Sequence, residues 1–369
     1  MLLIEADRDT LLKPLQTVTG IVERRHTLPI LSNVLIERDK DGTRFVATDL
    51  EIQVSTLAQG LKEAAKGFSL TVAARKLQDI LRALPENTRV ALSTDESRLQ
   101  VKAGSSRFSL QTLPAEDFPR ITDAAADEVK VSLPQKEFRR ILALVHYAMA
   151  QQDIRYYLNG LLLVATADEL KLVATDGHRL ALATTALSGA GAAREVIIPR
   201  KAVLEVLKLL GDSEEPIEIS IRSNQVRFRF DDVVLVSKVV DGKFPDYTRV
   251  IPVGHAKMIT PERTALLQAL QRTAILSTDK IRGVRIVLTS GSLRLICTNN
   301  EQEEAQEELA VDYQGDALDI GFNVSYLLDV LGNVSSETIC CAFSDPNSSC
   351  LVTLPGDEGF KYVVMPMRI

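Results

Sequence analysis

The sequence predicts an α+β protein made of three tandem similar domains, each holding two helices and two antiparallel sheets. Three observations lead there. A strand–turn–strand stretch ending in a Thr-Asp or Thr-Asn corner occurs three times, at Thr48-Asp49, Thr175-Asp176 and Thr298-Asn299. The corners lie 127 and 123 residues apart. Each stretch is preceded by an amphipathic helix and followed by a second helix and alternating strands, which defines a repeat of about 120 residues.

The elements follow in order. In the first copy Leu11, Leu15, Val18 and Val22 share one helical face, and Pro14 has to sit in the opening turns or kink the helix. The strand pair of 27–51 comes next, then a helix over 74–84, and the copy closes on Phe118-Pro119. In the second copy Phe138, Ile141, Leu142, Val145 and Met149 form the apolar face of a helix. The strands of 157–182, a helix over 199–210 and alternating strands at 217–222 and 226–230 follow, and the copy closes on Phe244-Pro245. The third copy has Leu266, Leu270 and Thr273 on its first helix, strands within 281–304, a helix over 323–331 and a close at Met365-Pro366-Met367. Ala-rich and Pro/Gly linkers near 122–127 and 251–256 set domain limits at 1–125, 126–253 and 254–369. Three copies in line leave a sheet edge at each end, which has to be covered or paired. A head-to-tail contact between chains does this and yields either a closed ring or an open filament.

Composition narrows the class. The chain has 369 residues, 46% hydrophobic and 25% charged, with a net charge of −6. That is ample for packed cores and excludes disordered, collagenous and disulfide-scaffold classes. No apolar run approaches the ~18–20 residues of a membrane span. The first residues carry no basic segment, so no signal peptide and a cytoplasmic location are expected. Cys297, Cys340, Cys341 and Cys350 have no metal-ligand spacing and read as buried thiols in a reducing compartment. No metal and no cofactor are expected.

An acidic chain leans away from nucleic acid, but the sum hides its distribution. From Leu295 to Phe360 there are 66 residues with thirteen acids and no Lys or Arg, which leaves +7 on the remainder. The six helices, with boundaries estimated from the pattern, carry +6, and everything else carries −12. If the helices share one surface, that surface is basic and can hold phosphates without reading sequence. The alternative is that surface helices favour Lys and Arg for propensity alone. Nothing resembles a base-reading motif.

Several segments together carry a family resemblance. They are Leu11-Leu12-Lys13-Pro14-Leu15, Thr27-Leu28-Pro29-Ile30-Leu31, Arg107-Phe108-Ser109-Leu110, the Gln152–Gly160 run QDIRYYLNG and the Ala174–Leu180 run ATDGHRL. The Asp241–Tyr247 run DGKFPDY, Gly321-Phe322-Asn323 and the terminal YVVMPMRI of 362–369 complete the set. On these the chain resembles the bacterial DNA polymerase III β subunit, the sliding clamp, over essentially its whole length. The resemblance implies the DNA clamp fold, a head-to-tail homodimer closing as a ring, and double-stranded DNA threaded through it. It also implies docking of the DNA polymerase III α subunit, the clamp loader and other polymerases and repair proteins through short peptide motifs.

Carried over position by position, the resemblance places a peptide pocket at Arg155, Leu158, Thr175, Gly177, His178, Arg179, Leu180, Pro245, Arg249, Val250, Ser349, Val363, Met365, Pro366, Met367 and Arg368. Met and Leu make an adaptable apolar floor, and arginine heads at the rim can pair a carboxylate. The plain alternative is an edge strand over 363–367 and a turn histidine. Ile369 stands where the family commonly ends in Leu. The Gly177-His178-Arg179-Leu180 stretch reads as an insert without counterpart after the other corners, Leu50-Glu51 and Asn300-Glu301, so one pocket per chain is expected. For DNA the resemblance points to Arg25, Gln152, Tyr156 and Tyr157, with Lys136, Arg139, Arg140, Arg200 and Lys201 as helix cations. One tyrosine of the pair is expected in the core, as adjacent strand residues face opposite ways. For the dimer, Phe108 and Leu110 are expected to meet Ile275 and Leu276 of the second copy of this chain, with Lys76, Arg98 and Arg107 facing Glu301, Glu303 and Glu304.

The rival class is an enzyme. The four histidines (His26, His146, His178, His255) fall in no HExxH motif, and neither GxSxG nor a P-loop occurs. Asp176 beside His178 can be read as an acid–base pair, but neither a nucleophile nor a metal cluster accompanies it.

Overall fold

The computed structural model describes residues 1–23, 27–63, 67–95, 97–122, 128–187, 193–277 and 282–368. Among them are six α-helices: α1 (Arg8–Thr19), α2 (Ala74–Ala83), α3 (Gln135–Val145), α4 (Arg200–Leu209), α5 (Arg263–Thr273) and α6 (Val324–Asn333). Each lies where the apolar spacing put it; α1 to α5 are shorter than the estimate at one end or both, and α6 starts one residue later and runs two further. The face of α3 runs out at Val145, and a 3-10 turn over His146–Ala148 takes Met149 into the core by another route. Pro14 is inside α1 and buried. Glu262 caps α5, its carboxylate accepting from the Thr264 and Ala265 N–H at 3.0 and 2.8 Å. Asn323 caps α6 through the Ser325 N–H. Both satisfy backbone donors that a helix start leaves open.

The chain forms two compact units that do not follow the three-copy order. The first comprises Met1–Lys136 and Leu204–Val239. It holds a 13-stranded antiparallel sheet in which Val233–Lys238, from the second copy, pairs with Ile52–Ala58, from the first. Gln53 stands opposite Val236 and Val54 opposite Leu235. Helices α1 and α2 pack together in this unit, and the buried Gln78 amide donates to the Thr19 hydroxyl at 2.9 Å.

The second unit comprises Glu137–Val203 and Val240–Ile369. Its eight-stranded sheet repeats the device: Arg179–Ala186 of the second copy pairs with Asp357–Val364 of the third, Leu180 opposite Val363. A four-stranded sheet runs Glu304–Ala310, Ser292–Thr298, Gly283–Thr289, Leu318–Asn323. Residues on the inner faces alternate with exposed ones along these strands, as a half-buried antiparallel sheet requires. Cys297, Cys341 and Cys350 are buried, Cys340 half-buried, and all four are free thiols. Burial pushes the Cys297 and Cys350 thiols up from their ordinary pKa.

Several strands keep an open side among the described residues, and two of them carry residues expected at a contact between chains. Ser106–Leu113 pairs fully with Arg98–Ala103, but on its other side only Leu113 and Thr112 find partners, Thr71 and Val72. Glu304–Ala310 ends the four-stranded sheet.

The joining strand of the first unit predicts its own test. Leu235 and Val54 are both fully buried where the copies pair. Leu235→Ala leaves a cavity and lowers stability by about 2–5 kcal/mol in urea unfolding of the full chain. A change within about 0.5 kcal/mol, the range of a surface substitution, would show that this joint contributes little.

Candidate functional site

The sequence-chosen pocket residues converge in the second unit. The Thr175-Asp176 corner builds one wall. Thr175 Oγ1 donates to the Arg179 carbonyl at 2.6 Å and accepts from the Gly177 N–H at 3.1 Å. Asp176 Oδ1 accepts from the His178 and Arg179 N–H at 2.9 and 3.0 Å. The first copy folds its corner the same way: Thr48 Oγ1 donates to the Ile52 carbonyl and accepts from Leu50 N–H, and Asp49 accepts from Glu51 and Ile52 N–H. Leu50 and Gly177 have positive φ, 79° and 89°. Gly177-His178 therefore occupies the place of Leu50-Glu51, and the expected insert is a turn of the same length with different side chains. The third corner is one residue longer, with Asn299 accepting from Glu301 and Glu303. Gly177 eases this turn in two ways. Its φ disfavours a side chain, and a Cβ there would lie 2.9 Å from the Arg155 guanidinium.

Behind the wall is an apolar cluster of Leu162, Val173, Leu180, Leu182, Ile197, Phe244 and Val363, with Tyr157, Tyr247 and Leu351 packed on it. Above it a cavity of about 180 Å³ opens to solvent. Of the predicted residues, Arg155, Leu158, Thr175, Gly177, His178, Arg179, Leu180, Pro245, Val250, Val363 and Met365 line it. Arg249, Ser349, Pro366, Met367 and Arg368 do not. Arg249 is exposed and paired to Asp246 at 2.8 Å, and Ser349 is half-buried just before the strand Cys350–Leu354. The chain end leaves the strand by way of two backbone bonds, Met365 N–H to the His178 carbonyl at 2.9 Å and Met367 N–H to the Gly321 carbonyl at 2.8 Å. Ile369 lies outside the described residues. Tyr157, Asp246 and Tyr247 also line the cavity. The last two sit inside the DGKFPDY run that carried the resemblance, so the signal for them was present in the sequence.

The arginines differ in what they hold. Arg155 pairs with Asp153 through Nε at 3.0 Å and Nη2 at 2.9 Å, and the pair is exposed enough to open. Arg179 is almost wholly covered. Its Nε donates to Asp176 at 3.0 Å, one Nη to Asp329 on α6 and the other to the Tyr147 carbonyl at 2.6 Å. Its plane lies over the Tyr326 ring, 4.3 Å from the centroid. Burial works against the charge, yet Tyr362, Asp329 and Asp176 hold the Arg179 pKa above the ordinary arginine value. The Asp176 carboxylate is occupied by the turn and by Arg179, which removes the acid–base reading with His178.

The residues chosen for DNA are dispersed. Arg25 lies outside the described residues. Gln152 is exposed at φ 57°. Tyr156 and Tyr157 sit in a 3-10 turn, Tyr156–Leu158, not in a strand. Tyr156 is exposed, and Tyr157 packs on the apolar cluster, the rings meeting edge to face at 5.8 Å. Lys136 is ion-paired with Glu214, and Arg140 with Glu137 and Asp357, both at 2.9 Å. Arg139 is exposed, and Lys201 half-buried. Arg200 donates to the Met149 carbonyl at 3.2 Å, and burial, aided by Arg179, lowers its pKa. As folded, the six helices carry thirteen Lys and Arg against five acids, a net +8, more than the +6 of the estimated boundaries.

Of the residues chosen for the dimer, Arg107, Phe108 and Leu110 lie on Ser106–Leu113 and Glu304 on Glu304–Ala310. Phe108 and Leu110 are half-buried on Ser106–Leu113, with Arg107, Arg98 and Lys76 exposed in the same unit. In the other unit Ile275 is exposed and Leu276 half-buried after α5, with Glu301, Glu303 and Glu304 exposed.

Three family models cover the chain: the N-terminal domain of the DNA polymerase III beta subunit over residues 2–122, its central domain over 132–246 and its C-terminal domain over 248–368. The beta sliding clamp of Pseudomonas putida is 47% identical over 98% of both chains, and that of Escherichia coli 42% identical over 98% of this chain and 99% of its own. The crystal structure of the DNA polymerase III subunit beta from Pseudomonas aeruginosa covers 100% of both chains at 45% identity, with a TM-score of 0.94.

The Asp153–Arg155 pair sets a pH test. Hydrogen bonds from the Arg155 guanidinium, and from its backbone, hold the Asp153 pKa at about 2. A depressed carboxylate contributes its order above the unfolded pKa of about 3.9 and loses it as pH falls through the folded value. Carboxyl NMR titration is expected to place Asp153 near 2, and Arg155→Gln to return it toward about 4. An unchanged Asp153 in the variant would show that Arg155 is not the cause.

Proposed function

The chain belongs to the family of the DNA polymerase III beta subunit, the beta sliding clamps, and we propose that it acts as a homodimeric ring around duplex DNA with the cavity of the second unit as its docking site for partner peptides. It is a non-catalytic processivity factor of DNA replication. No described helix is long and apolar enough to cross a membrane, and the proposed compartment is the cytoplasm. The three clamp domains are taken as 1–125, 126–253 and 254–369.

One observation carries the docking reading: an open cavity of about 180 Å³ over an apolar cluster, walled by a hydrogen-bonded turn and by the chain's own last strand. A concave apolar floor with a few placed polar groups suits a short peptide with an apolar end. The partners proposed for it are the DNA polymerase III α subunit, the ATP-dependent clamp loader and other polymerases and repair proteins with such motifs. The exposed Met365 gives the rim an adaptable contact.

The open edges support the dimer. Residues 106–111 present unpaired backbone and a basic flank, and 304–310 presents unpaired backbone with an acidic flank. Pairing one with the other between two chains covers both ends with complementary charge. Repeated with a closing rotation, the contact gives a ring. The basic helices then face the duplex, where they hold phosphates without reading bases.

Two outcomes are expected. Chain loaded on nicked circular duplex should stay through gel filtration at moderate salt and leave once the circle is cut. Equal loss from circular and linear DNA would sink the ring reading. Deleting 365–369 removes the two backbone bonds to His178 and Gly321 and should abolish peptide binding while native mass spectrometry still finds the dimer. A truncated dimer that keeps its peptide affinity would move the docking site elsewhere.

A further inference from the structure

Arg179 stands apart from the other arginines of the cavity. Four structural partners in the second unit surround its guanidinium: the Asp176 turn, the Tyr147 carbonyl after α3, and Asp329 and Tyr326 on α6. Two of these belong to the second copy and two to the third. Sequence separation rules out a local accident, since Asp329 is 150 residues from Arg179. The side chain is only 9% exposed, and its Nε and both Nη groups donate to these acceptors. Three of its five N–H groups are engaged in this way and one face lies on a ring, which leaves Arg179 poorly placed for a bidentate pair with a bound carboxylate.

We propose that Arg179 is a positioning residue for the docking site: it locks the Asp176 turn against α6, so fixing the cavity wall, and makes no ion pair with the docked peptide. The inference rests on the docking reading above. It assigns any acidic group of a partner peptide to Arg155 or Arg249, whose ion pairs with Asp153 and Asp246 are exposed and exchange at little cost. Asp329, outside the cavity lining, becomes a determinant of peptide affinity through Arg179. The wall and the joint between second and third copies share this contact, so loosening one loosens the other.

The test uses the full chain and two synthetic peptides, one ending in two leucines preceded by an aspartate, the other with asparagine in its place. Arg179→Met and Asp329→Asn are each expected to weaken both peptides by about tenfold, and the double variant by no more than the worse single one, because the two side chains act as one unit. Asp329→Glu should keep most of the affinity. Arg155→Gln should weaken the aspartate peptide more than the asparagine one. Hydrogen exchange at the His178 and Arg179 amides, which needs no peptide, should quicken in Arg179→Met and in Asp329→Asn. An Arg179→Met loss confined to the aspartate peptide, with Asp329→Asn silent, would overturn the proposal. Unchanged exchange in both variants would overturn it as well. Wild-type chain that binds neither peptide would count against the docking reading, and the exchange result would still decide the role of Arg179.

Discussion

A β-strand at the end of a sheet has to find a partner for its backbone, and this chain is organised around that requirement. Each copy supplies strands whose last edge another copy covers. Ile52–Ala58 takes Val233–Lys238, and Arg179–Ala186 takes Asp357–Val364. The two joints use equivalent registers: Gln53, opposite Val236, lies 127 residues before Leu180, opposite Val363. Among the edges left open are residues 106–111 and 304–310, and the proposed head-to-tail dimer covers both.

The joints also explain why a pocket appears where it does. At the first, Leu35, Val46 and Phe118 form the apolar floor, in the places held by Leu162, Val173 and Phe244 at the second. The turns are built by the same hydrogen bonds. The difference lies in side chains. Gln53 turns its carbonyl onto the Ile121 N–H at 3.0 Å, tying the closing segment down over the floor. Leu180, in the equivalent place, makes no such bond. The floor there remains open as the cavity, with the Arg155 head beside Gly177 at its rim. On the proposed docking reading, peptide recognition rests on a few substitutions in a repeated joint, with no inserted loop.

What the sequence revealed follows from range. Helical spacing, the Thr-Asp corners and the Phe-Pro closers are local patterns, and they placed six helices and the three copies. Leu158, Leu180 and Val363 could be placed in the cavity because the resemblance carried whole motifs. The equality of the Gly177-His178 and Leu50-Glu51 turns was masked because those two pairs share no residue type, although the Thr-Asp before each makes the same hydrogen bonds. The role of Arg179 was hidden for another reason. Its partners Tyr147, Asp329 and Tyr326 are brought to it by sheet pairing, and nothing near position 179 announces them. The tyrosine pair misled in a smaller way: in a 3-10 turn, residues 156 and 157 part by rotation about the turn instead of by the alternation of a strand.

Charge has the same dependence on context. The helices carry +8 in a chain of −6, yet several of their cations already hold an acid: Arg8 with Asp9, Lys136 with Glu214, Arg140 with Glu137 and Asp357, Lys208 with Glu205, Arg272 with Glu307. A paired cation acts at short range as a dipole, and only the net excess reaches outward. For a surface that has to hold a duplex while letting it move, this balance is favourable. Strong direct pairs to individual phosphates would each have to break at every step, whereas a diffuse positive field attracts the backbone equally at each position. The acidic stretch from Leu295 to Phe360 places negative charge on the third copy, beside the open edge of 304–310 that the proposed dimer would pair with a basic neighbour. The overall sign of the chain is therefore set by its strands and turns, and the proposed hold on DNA by its helices.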